Sequence, residues 1–160
     1  MGNNLDYTNL GTLDGTPLTV KQVSTGETHT CVIIRENNKL KCFGQNTYGQ
    51  LGYGNTNNLV WSSQLGNNLG FVNLGTDRTA KQVSVGPYHT CAILDDGRVK
   101  CWGAGGNGRL GYGNTHQKNS PPSGTVDLGT NDGTSNGSPL TVKQISAVSY
   151  THLRAHETAM

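Results

Sequence analysis

The amino-acid sequence predicts an all-β protein in which short antiparallel sheets stack as the blades of a β-propeller. Glycine is abundant, with 23 Gly among 160 residues, and Gly-rich sequences are typical of short strands joined by many turns. No segment keeps the i, i+3, i+4, i+7 apolar spacing of an amphipathic helix. A unit of about 60 residues recurs along the chain, and repeats of this length that contain several short strands are typical of propeller blades.

The repeat is visible in three blocks of sequence. These are Lys-Gln-Val-Ser, His-Thr-Cys and Leu-Gly-Tyr-Gly-Asn-Thr, which begin at residues 21, 29 and 51 and recur at 81, 89 and 110. A third copy of the first block begins at residue 143, as Lys-Gln-Ile-Ser. The chain therefore divides into the end of a preceding repeat at 1–19, a first repeat at 20–80, a second at 81–141, the start of a third at 142–147, and a non-repeat tail at 148–160.

Each repeat is expected to contain three strands and a fourth whose position the sequence leaves open. The first strand is predicted at 20–25 and 82–85, the second at 29–34 and 89–94, the third at 39–44 and 98–103, and the fourth near 50–53 and 109–112 or at 71–74. The strands are rich in β-branched residues, and Gly, Asn and Pro, which turns favour, separate them.

The turn at residues 95–97 fixes the register of the second and third strands. A three-residue Asp-Asp-Gly hairpin loop places Cys91 opposite Cys101 and His89 opposite Gly103. The equivalent residues of the first repeat meet in the same way, although its turn is one residue longer. Because side chains alternate between the two faces of a strand, both faces of each hairpin carry apolar groups. Each sheet is therefore expected to pack between two neighbouring blades.

These motifs resemble the repeats of the regulator of chromosome condensation family. The matching pattern is Val-Ser-x-Gly-x-x-His-Thr-Cys-x-Ile, then Val/Leu-Lys-Cys-Trp/Phe-Gly, then Gly-x-Leu-Gly-Tyr-Gly-Asn-Thr, and it covers residues 1 to about 147. The paired cysteines and the long Asn/Gly-rich connector are most similar to the bacterial form. The resemblance implies an all-β, seven-bladed β-propeller that serves as a protein-binding platform and, in some members, exchanges guanine nucleotide on a small GTPase.

The chain departs from the family pattern in two ways. It holds about two and a half units where the family has about seven, so we expect an incomplete propeller from a longer protein, with a small solenoid-like stack as the alternative. The repeat also stops at Val148, where the earlier copies have Gly26 and Gly86, and we expect these glycines to serve a turn that valine resists. The tail beyond resembles adaptor- or vector-derived translation, and no function is predicted from it.

The four cysteines are expected to form two disulfides, Cys31–Cys42 and Cys91–Cys101, if the protein is exported. Directly opposed residues on antiparallel strands have Cα atoms about 4.5–5.5 Å apart, which is within disulfide range. Pairs of small buried thiols are the alternative in the cytosol. Zinc is a further alternative, because a histidine shares a face with each cysteine pair, but the spacing is not that of short Cys-x-x-Cys sites, so no metal is predicted. Disulfides would favour an extracellular or cell-envelope location, which the sequence otherwise leaves open.

The sequence gives little support for catalysis. It contains no Gly-x-Ser-x-Gly elbow, phosphate-binding loop or His-Glu-x-x-His helix, so we predict no enzyme activity and no cofactor. The formal net charge of +2 is too near zero to indicate a nucleic-acid partner. No run approaches the roughly 20 apolar residues of a membrane span, so membrane insertion is not predicted.

The sequence therefore favours a non-enzymatic protein-interaction module that presents loops to a protein partner. Because consecutive antiparallel strands alternate in direction, the loops after the first and third strands share one rim, and loops on a rigid scaffold commonly carry function. The residues predicted to bind are Glu27, Thr28, Asn46, Tyr48, Pro87, Tyr88 and Asn107. The alternatives are guanine-nucleotide exchange on a small GTPase by the full-length parent, and an extracellular or envelope structural role.

Overall fold

The computed structural model describes residues 7–148 and consists of short β-strands joined by turns. In chain order the strands are β1 (Thr12–Leu13), β2 (Thr16–Pro17), β3 (Val20–Thr25), β4 (His29–Ile34), β5 (Leu40–Gly44), β6 (Ala80–Val85), β7 (His89–Leu94) and β8 (Val99–Gly103). Three single 3₁₀ turns, at Ser62–Gln64, Gly66–Asn68 and Gly106–Gly108, are the helical segments of the described region. None of these helices has the length or apolar character needed to cross a membrane.

Two three-stranded antiparallel sheets dominate the fold. Strands β3, β4 and β5 form the first sheet, called blade 1, and β6, β7 and β8 form the second, called blade 2. Cys91 faces Cys101 and His89 faces Gly103 in blade 2, and the equivalent pairs meet in blade 1. Gly97 closes the blade 2 hairpin with a φ of 83°. The predicted all-β class and the predicted register of both hairpins are therefore confirmed.

The prediction of a fourth strand is wrong for the described residues. Residues 50–53 and 109–112 form turns, since Gly52 and Gly111 have φ values of 86° and 78° and interrupt any extended run. Residues 71–74 are extended, but they join blade 1 through a single backbone bond, in which the Val72 N–H donates to the Leu40 carbonyl at 2.8 Å.

A small hairpin, β1–β2, precedes blade 1 in the segment assigned to the end of a preceding repeat. Its turn is Asp14-Gly15, and both residues have positive φ, at 50° and 80°. An Asp-Gly pair favours this two-residue hairpin geometry. The Asp-Gly pair is visible in the sequence, but the two flanking strands have only two residues each and are too short to show an alternating apolar pattern.

The apolar core lies between the two blades, which pack face to face. It is built from buried residues of both sheets and of the connector between them, namely Cys31, Ile33, Leu40, Cys42, Leu51, Val72, Leu74, Ala80, Val83, Val85, Ala92, Leu94 and Trp102. On the far side of blade 2, Ile145 from the third repeat packs against Cys91 and Cys101. On the far side of blade 1, Leu10 covers Val32. Each sheet is thus packed on both faces, as predicted.

Candidate protein-binding rim

Four loops lie at one end of the blades and form a rim. They follow the first and third strands of each blade. In blade 1 the Gln45 N–H donates to the Thr28 carbonyl at 2.9 Å, and in blade 2 the Ala104 N–H donates to the Tyr88 carbonyl at 2.8 Å. Because each blade bonds its two loops to each other in the same way, the prediction that these loops share one rim is confirmed.

The rim also joins the two blades. Thr28 Oγ1 donates to the Pro87 carbonyl at 3.1 Å. The rings of Tyr48 and Tyr88, one from each blade, meet edge to face with their centroids 5.4 Å apart. Aromatic pairs of this geometry are favourable by about 0.5–1.5 kcal/mol beyond the area they bury. The two tyrosines therefore hold each other in place and form a single aromatic surface across the blade boundary.

Four of the predicted binding residues are accessible at this rim. Tyr48 and Tyr88 are 41% and 37% exposed, and Glu27 and Asn107 are also exposed. Asn107 has a φ of 59°, a conformation that asparagine adopts more readily than most residues. These four residues offer two aromatic rings, one carboxylate and one amide to the solvent.

The other three predicted residues lie deeper. Thr28 is half-buried, Pro87 is buried, and Asn46 is fully buried. Asn46 Nδ2 donates to the Asn55 carbonyl at 3.0 Å and its Oδ1 accepts the Leu51 N–H at 2.9 Å. The structure therefore uses Asn46 to fold its own loop, and its side chain is not presented to a partner.

A groove of about 390 Å³ opens beside the rim, and the sequence did not predict it. Its lining residues are Thr25, Gly26, Glu27, Val85, Gly86, Pro87, Ala147 and Val148. The groove exists because the segment that begins the third repeat brings Ala147 and Val148 beside blade 2. Glu27 is the one charged side chain among these residues, so the groove combines apolar walls with a single carboxylate. The third copy of the Lys-Gln-Val-Ser block was the signal that could have located it.

Gly26 and Gly86 are required by close packing and not by a turn. Neither is among the residues with positive φ. A Cβ on Gly26 would overlap the Gly86 carbonyl oxygen, and a Cβ on Gly86 would overlap the ring of His89. The expectation that these glycines serve a turn is therefore wrong. A side chain is excluded at Gly26 by the backbone of blade 2 and at Gly86 by the ring of His89. Val148, at the equivalent position of the third copy, is 46% exposed.

Two buried histidines, His29 and His89, are the first residues of β4 and β7, directly after the first rim loop of each blade. His29 Nε2 lies within hydrogen-bond distance of Thr90 Oγ1, at 2.8 Å, and Thr90 Oγ1 donates to the Gln50 carbonyl at 2.9 Å. Burial, with a smaller contribution from the charge of His89, lowers the pKa of His29 to about 4. Burial and the nearby Arg109 charge lower the pKa of His89 to about 4. Both imidazoles are thus neutral at pH 7, and their role is structural.

Each cysteine pair is bonded within its own hairpin. The S–S distances are 2.08 Å for Cys31–Cys42 and 2.05 Å for Cys91–Cys101, and all four residues are fully buried. These are the pairs that the strand register predicted. The zinc alternative is incompatible with them, because it requires free thiolates. In the part of the chain that the structure describes, no group of three or more His, Cys, Asp and Glu side chains is placed to hold a metal ion.

Known sequences match the chain at its two blades. The model of the regulator of chromosome condensation (RCC1) repeat matches residues 20–50 and 80–109. The chain is 38% identical over 91 residues to the serine/threonine-protein kinase Nek9 of Mus musculus, and 36% identical over 102 residues to the ultraviolet-B receptor UVR8 of Arabidopsis thaliana. These matches cover 57% and 64% of this chain but 8% and 21% of the two relatives. The chain therefore spans about a fifth or less of their length.

Solved structures match the fold. Prp20p of Saccharomyces cerevisiae superposes with a TM-score of 0.63 over 88% of this chain and 31% of its own, at 17% identity. Human WBSCR16 superposes with a TM-score of 0.61 over 81% of this chain and 29% of its own, also at 17% identity. Prp20p is described as binding Gsp1p and histones, and the yeast protein has been crystallised with Kap60. At this identity the likeness shows the fold alone, a stack of β-propeller blades.

Proposed function

Because the chain carries two RCC1 repeats folded as neighbouring propeller blades, we propose that it is a non-enzymatic protein-binding module. Its partner docks on the rim around Tyr48 and Tyr88. The observation that carries the proposal is the edge-to-face contact of these two exposed rings, one from each blade. Exposed tyrosines fixed in one orientation are common anchors of protein interfaces, because little conformational entropy is lost when they bind. Prp20p, which shares this fold, binds proteins, and this supports a protein partner.

The rim and its groove fit a particular kind of partner segment. The tyrosine surface favours contact with an apolar or cationic side chain, since an aromatic face attracts both. The groove beside it has apolar walls and the carboxylate of Glu27. We therefore expect a segment that brings a basic residue to Glu27 and an apolar residue to the groove. Binding depends on both blades, because each contributes one ring and one side of the groove.

Site-specific photo-crosslinking tests this proposal. A photoreactive amino acid is placed at position 48, at position 88 or, as a control, at Trp61, which is 70% exposed on the connector between the blades and belongs to none of the four rim loops. In extract from the source cells, we expect both rim positions to capture the same protein and the Trp61 position to capture none of it. With the photoreactive amino acid at the exposed rim position Asn107 instead, the Tyr48→Ala/Tyr88→Ala variant should show capture weakened about tenfold or more. Equal capture from Trp61, or undiminished capture by the double variant, would contradict the proposal.

The second candidate, guanine-nucleotide exchange on a small GTPase, rests on the family resemblance. No residue of the rim is assigned to it. Release of a fluorescent guanine nucleotide from a loaded small GTPase, with and without the chain, separates the two candidates. We expect an unchanged release rate, and acceleration that the rim double variant abolishes would establish exchange as the activity of this surface.

A further inference from the structure

Gln50 is a fully buried amide that lies two residues after Tyr48 in the chain. Its Oε1 accepts the backbone N–H of Tyr48 at 2.8 Å. Its Nε2 is also buried and has no hydrogen-bond partner among the described residues. Because a buried polar group without a partner costs free energy, an apolar side chain of similar size would fill this space at a lower cost. The bond to Tyr48 is therefore the feature that explains an amide at this position.

Two buried side chains of blade 2 hold the backbone of Gln50. Trp102 Nε1 and Thr90 Oγ1 both donate to the Gln50 carbonyl, each at 2.9 Å. Thr90 in turn lies 2.8 Å from His29 Nε2 of blade 1. Since the single hydroxyl proton of Thr90 goes to Gln50, His29 Nε2 is the donor in that pair. Gln50 is thus fixed at the boundary between the blades by groups from both of them.

The equivalent loop of blade 2 forms without a glutamine. Each loop leads directly into the Leu-Gly-Tyr-Gly-Asn-Thr block, so Arg109 is the equivalent of Gln50 and Asn107 is the equivalent of Tyr48. An arginine side chain has no acceptor, and Arg109 Nε instead donates to the Gly106 carbonyl at 2.9 Å. The two loops nevertheless keep the same backbone bond to the first rim loop of their blade. The acceptor therefore accompanies the tyrosine and is not required to fold the loop.

We infer that Gln50 is a positioning residue of the rim, which holds the backbone of Tyr48 so that its ring meets the ring of Tyr88. The inference rests on the proposed function for what the two tyrosines bind. The bond from Gln50 and the contact with Tyr88 restrain Tyr48 from two sides, so less conformational entropy is lost when a partner binds. Because Thr90 and Trp102 belong to blade 2, the orientation of Tyr48 depends on the stacking of the two blades.

Nuclear magnetic resonance on the full chain tests the positioning role without any partner. Gln50→Met keeps a flexible side chain of similar size but removes the oxygen acceptor. We expect this variant to lose the nuclear Overhauser effects between the rings of Tyr48 and Tyr88. Hydrogen exchange of the Tyr48 amide should become about fivefold or more faster, because its hydrogen bond is gone. The matched control is Gln45→Met, the same change at an exposed position of the same loop, which should keep both signals. Ring contact and slow exchange that persist in Gln50→Met would overturn the inference.

A second pair of variants acts through the donors of blade 2. Thr90→Val replaces the hydroxyl that donates to the Gln50 carbonyl by a methyl group, whereas Thr90→Ser keeps the hydroxyl. Exchange of the Tyr48 amide should be faster in Thr90→Val than in the unmodified chain, and Thr90→Ser should restore the slow rate. Equal exchange rates in the two variants would show that blade 2 does not position this residue, even if Gln50→Met were too unstable to study.

Photo-crosslinking from position 107 measures what the positioning contributes to binding. Gln50→Met should weaken capture of the rim partner about three- to tenfold, because Tyr48 must then be ordered when the partner binds, and Gln45→Met should leave capture unchanged. If Tyr48→Ala/Tyr88→Ala captures as well as the unmodified chain, the proposed function fails, and the resonance experiment still decides the role of Gln50. If the tyrosine variant loses capture but Gln50→Met does not, the proposed function stands and the positioning role is refuted.

Discussion

The two blades share one register but differ in burial. In each blade cysteine faces cysteine and histidine faces glycine. Yet Val23 is 58% exposed while Val83 is 1% exposed, and Phe43 is half-buried where Trp102 is fully buried. Blade 2 lies between blade 1 and the segment that begins the third repeat, whereas a short segment before β3 covers blade 1 on its outer side. The repeated sequence thus determines local structure, and the neighbouring blade determines how much of it is buried.

The largest difference between the blades is expected at the third strand. Trp102→Ala removes a fully buried ring whose Nε1 donates to the Gln50 carbonyl at 2.9 Å, and should lower the free energy of unfolding by about 3–5 kcal/mol. Phe43→Ala, at the half-buried equivalent, should lower it by about 1–2 kcal/mol. Urea unfolding followed by circular dichroism measures both. Trp102→Phe, which copies blade 1, should give an intermediate loss. Equal losses for the two alanine variants would mean that the neighbouring blade does not set the difference.

The sequence was sufficient to predict the hairpins because their determinants are local. The turn at residues 95–97 and the period of two along the strands place Cys91 against Cys101 without reference to any distant residue. The fourth strand could not be predicted in the same way. The candidates at 50–53 and 109–112 contain Gly52 and Gly111, which adopt positive φ, and a single sequence does not show which glycine will do so.

The sequence predicted which loops form the rim. It did not predict which of their side chains are exposed or that a groove lies beside them, for a similar reason. Strand direction alone places Tyr48 and Tyr88 at the corresponding end of their own blades. Whether a loop side chain points outward depends on contacts that are distant in sequence, such as the folding of Asn55 back onto Asn46. The groove depends on Ala147, which lies in another repeat. Residue type and spacing carry no information about such contacts until the blades are stacked.

Acid should destabilise both blades through their equivalent histidines. The pKa of His29 and of His89 falls from 6.5 to about 4 on folding, mainly by burial. Between these values the unfolded chain binds protons that the folded chain does not. The contribution of these two histidines to the free energy of unfolding is therefore largest above about pH 6.5. It falls as the pH drops toward 4 and changes no further below that pH. The shift corresponds to about 3 kcal/mol for each histidine.

Urea unfolding over a pH series measures this loss and apportions it between the blades. His89→Gln should remove about half of the pH dependence. His116→Gln, at an exposed position, should leave it unchanged. A free energy of unfolding that is flat between about pH 7 and pH 4 would show that the histidines are not held neutral in the folded state.

The two disulfides should contribute nearly equal stability despite the different surroundings of the blades. Their cysteines are separated by 11 and 10 residues, so the loop entropy that each bond removes from the unfolded chain is almost the same, about 2–3 kcal/mol. Replacing both cysteines of one pair by alanine, in either blade, should therefore give similar losses in urea unfolding under oxidising conditions. A loss confined to blade 2 would mean that packing in the native state, and not the entropy of the unfolded chain, sets each disulfide's contribution to the free energy of unfolding.

The smallest contrast is expected at the first strand of each blade, between Val83 of β6 and the equivalent Val23 of β3. Val83→Ala should lower the free energy of unfolding by about 2 kcal/mol, because the side chain is buried. Val23→Ala should change it by less than about 0.5 kcal/mol in dilute solution, because the side chain is mostly exposed. Urea unfolding followed by circular dichroism measures both variants. A loss for Val23→Ala as large as that for Val83→Ala would mean that burial by the neighbouring blade does not set the difference.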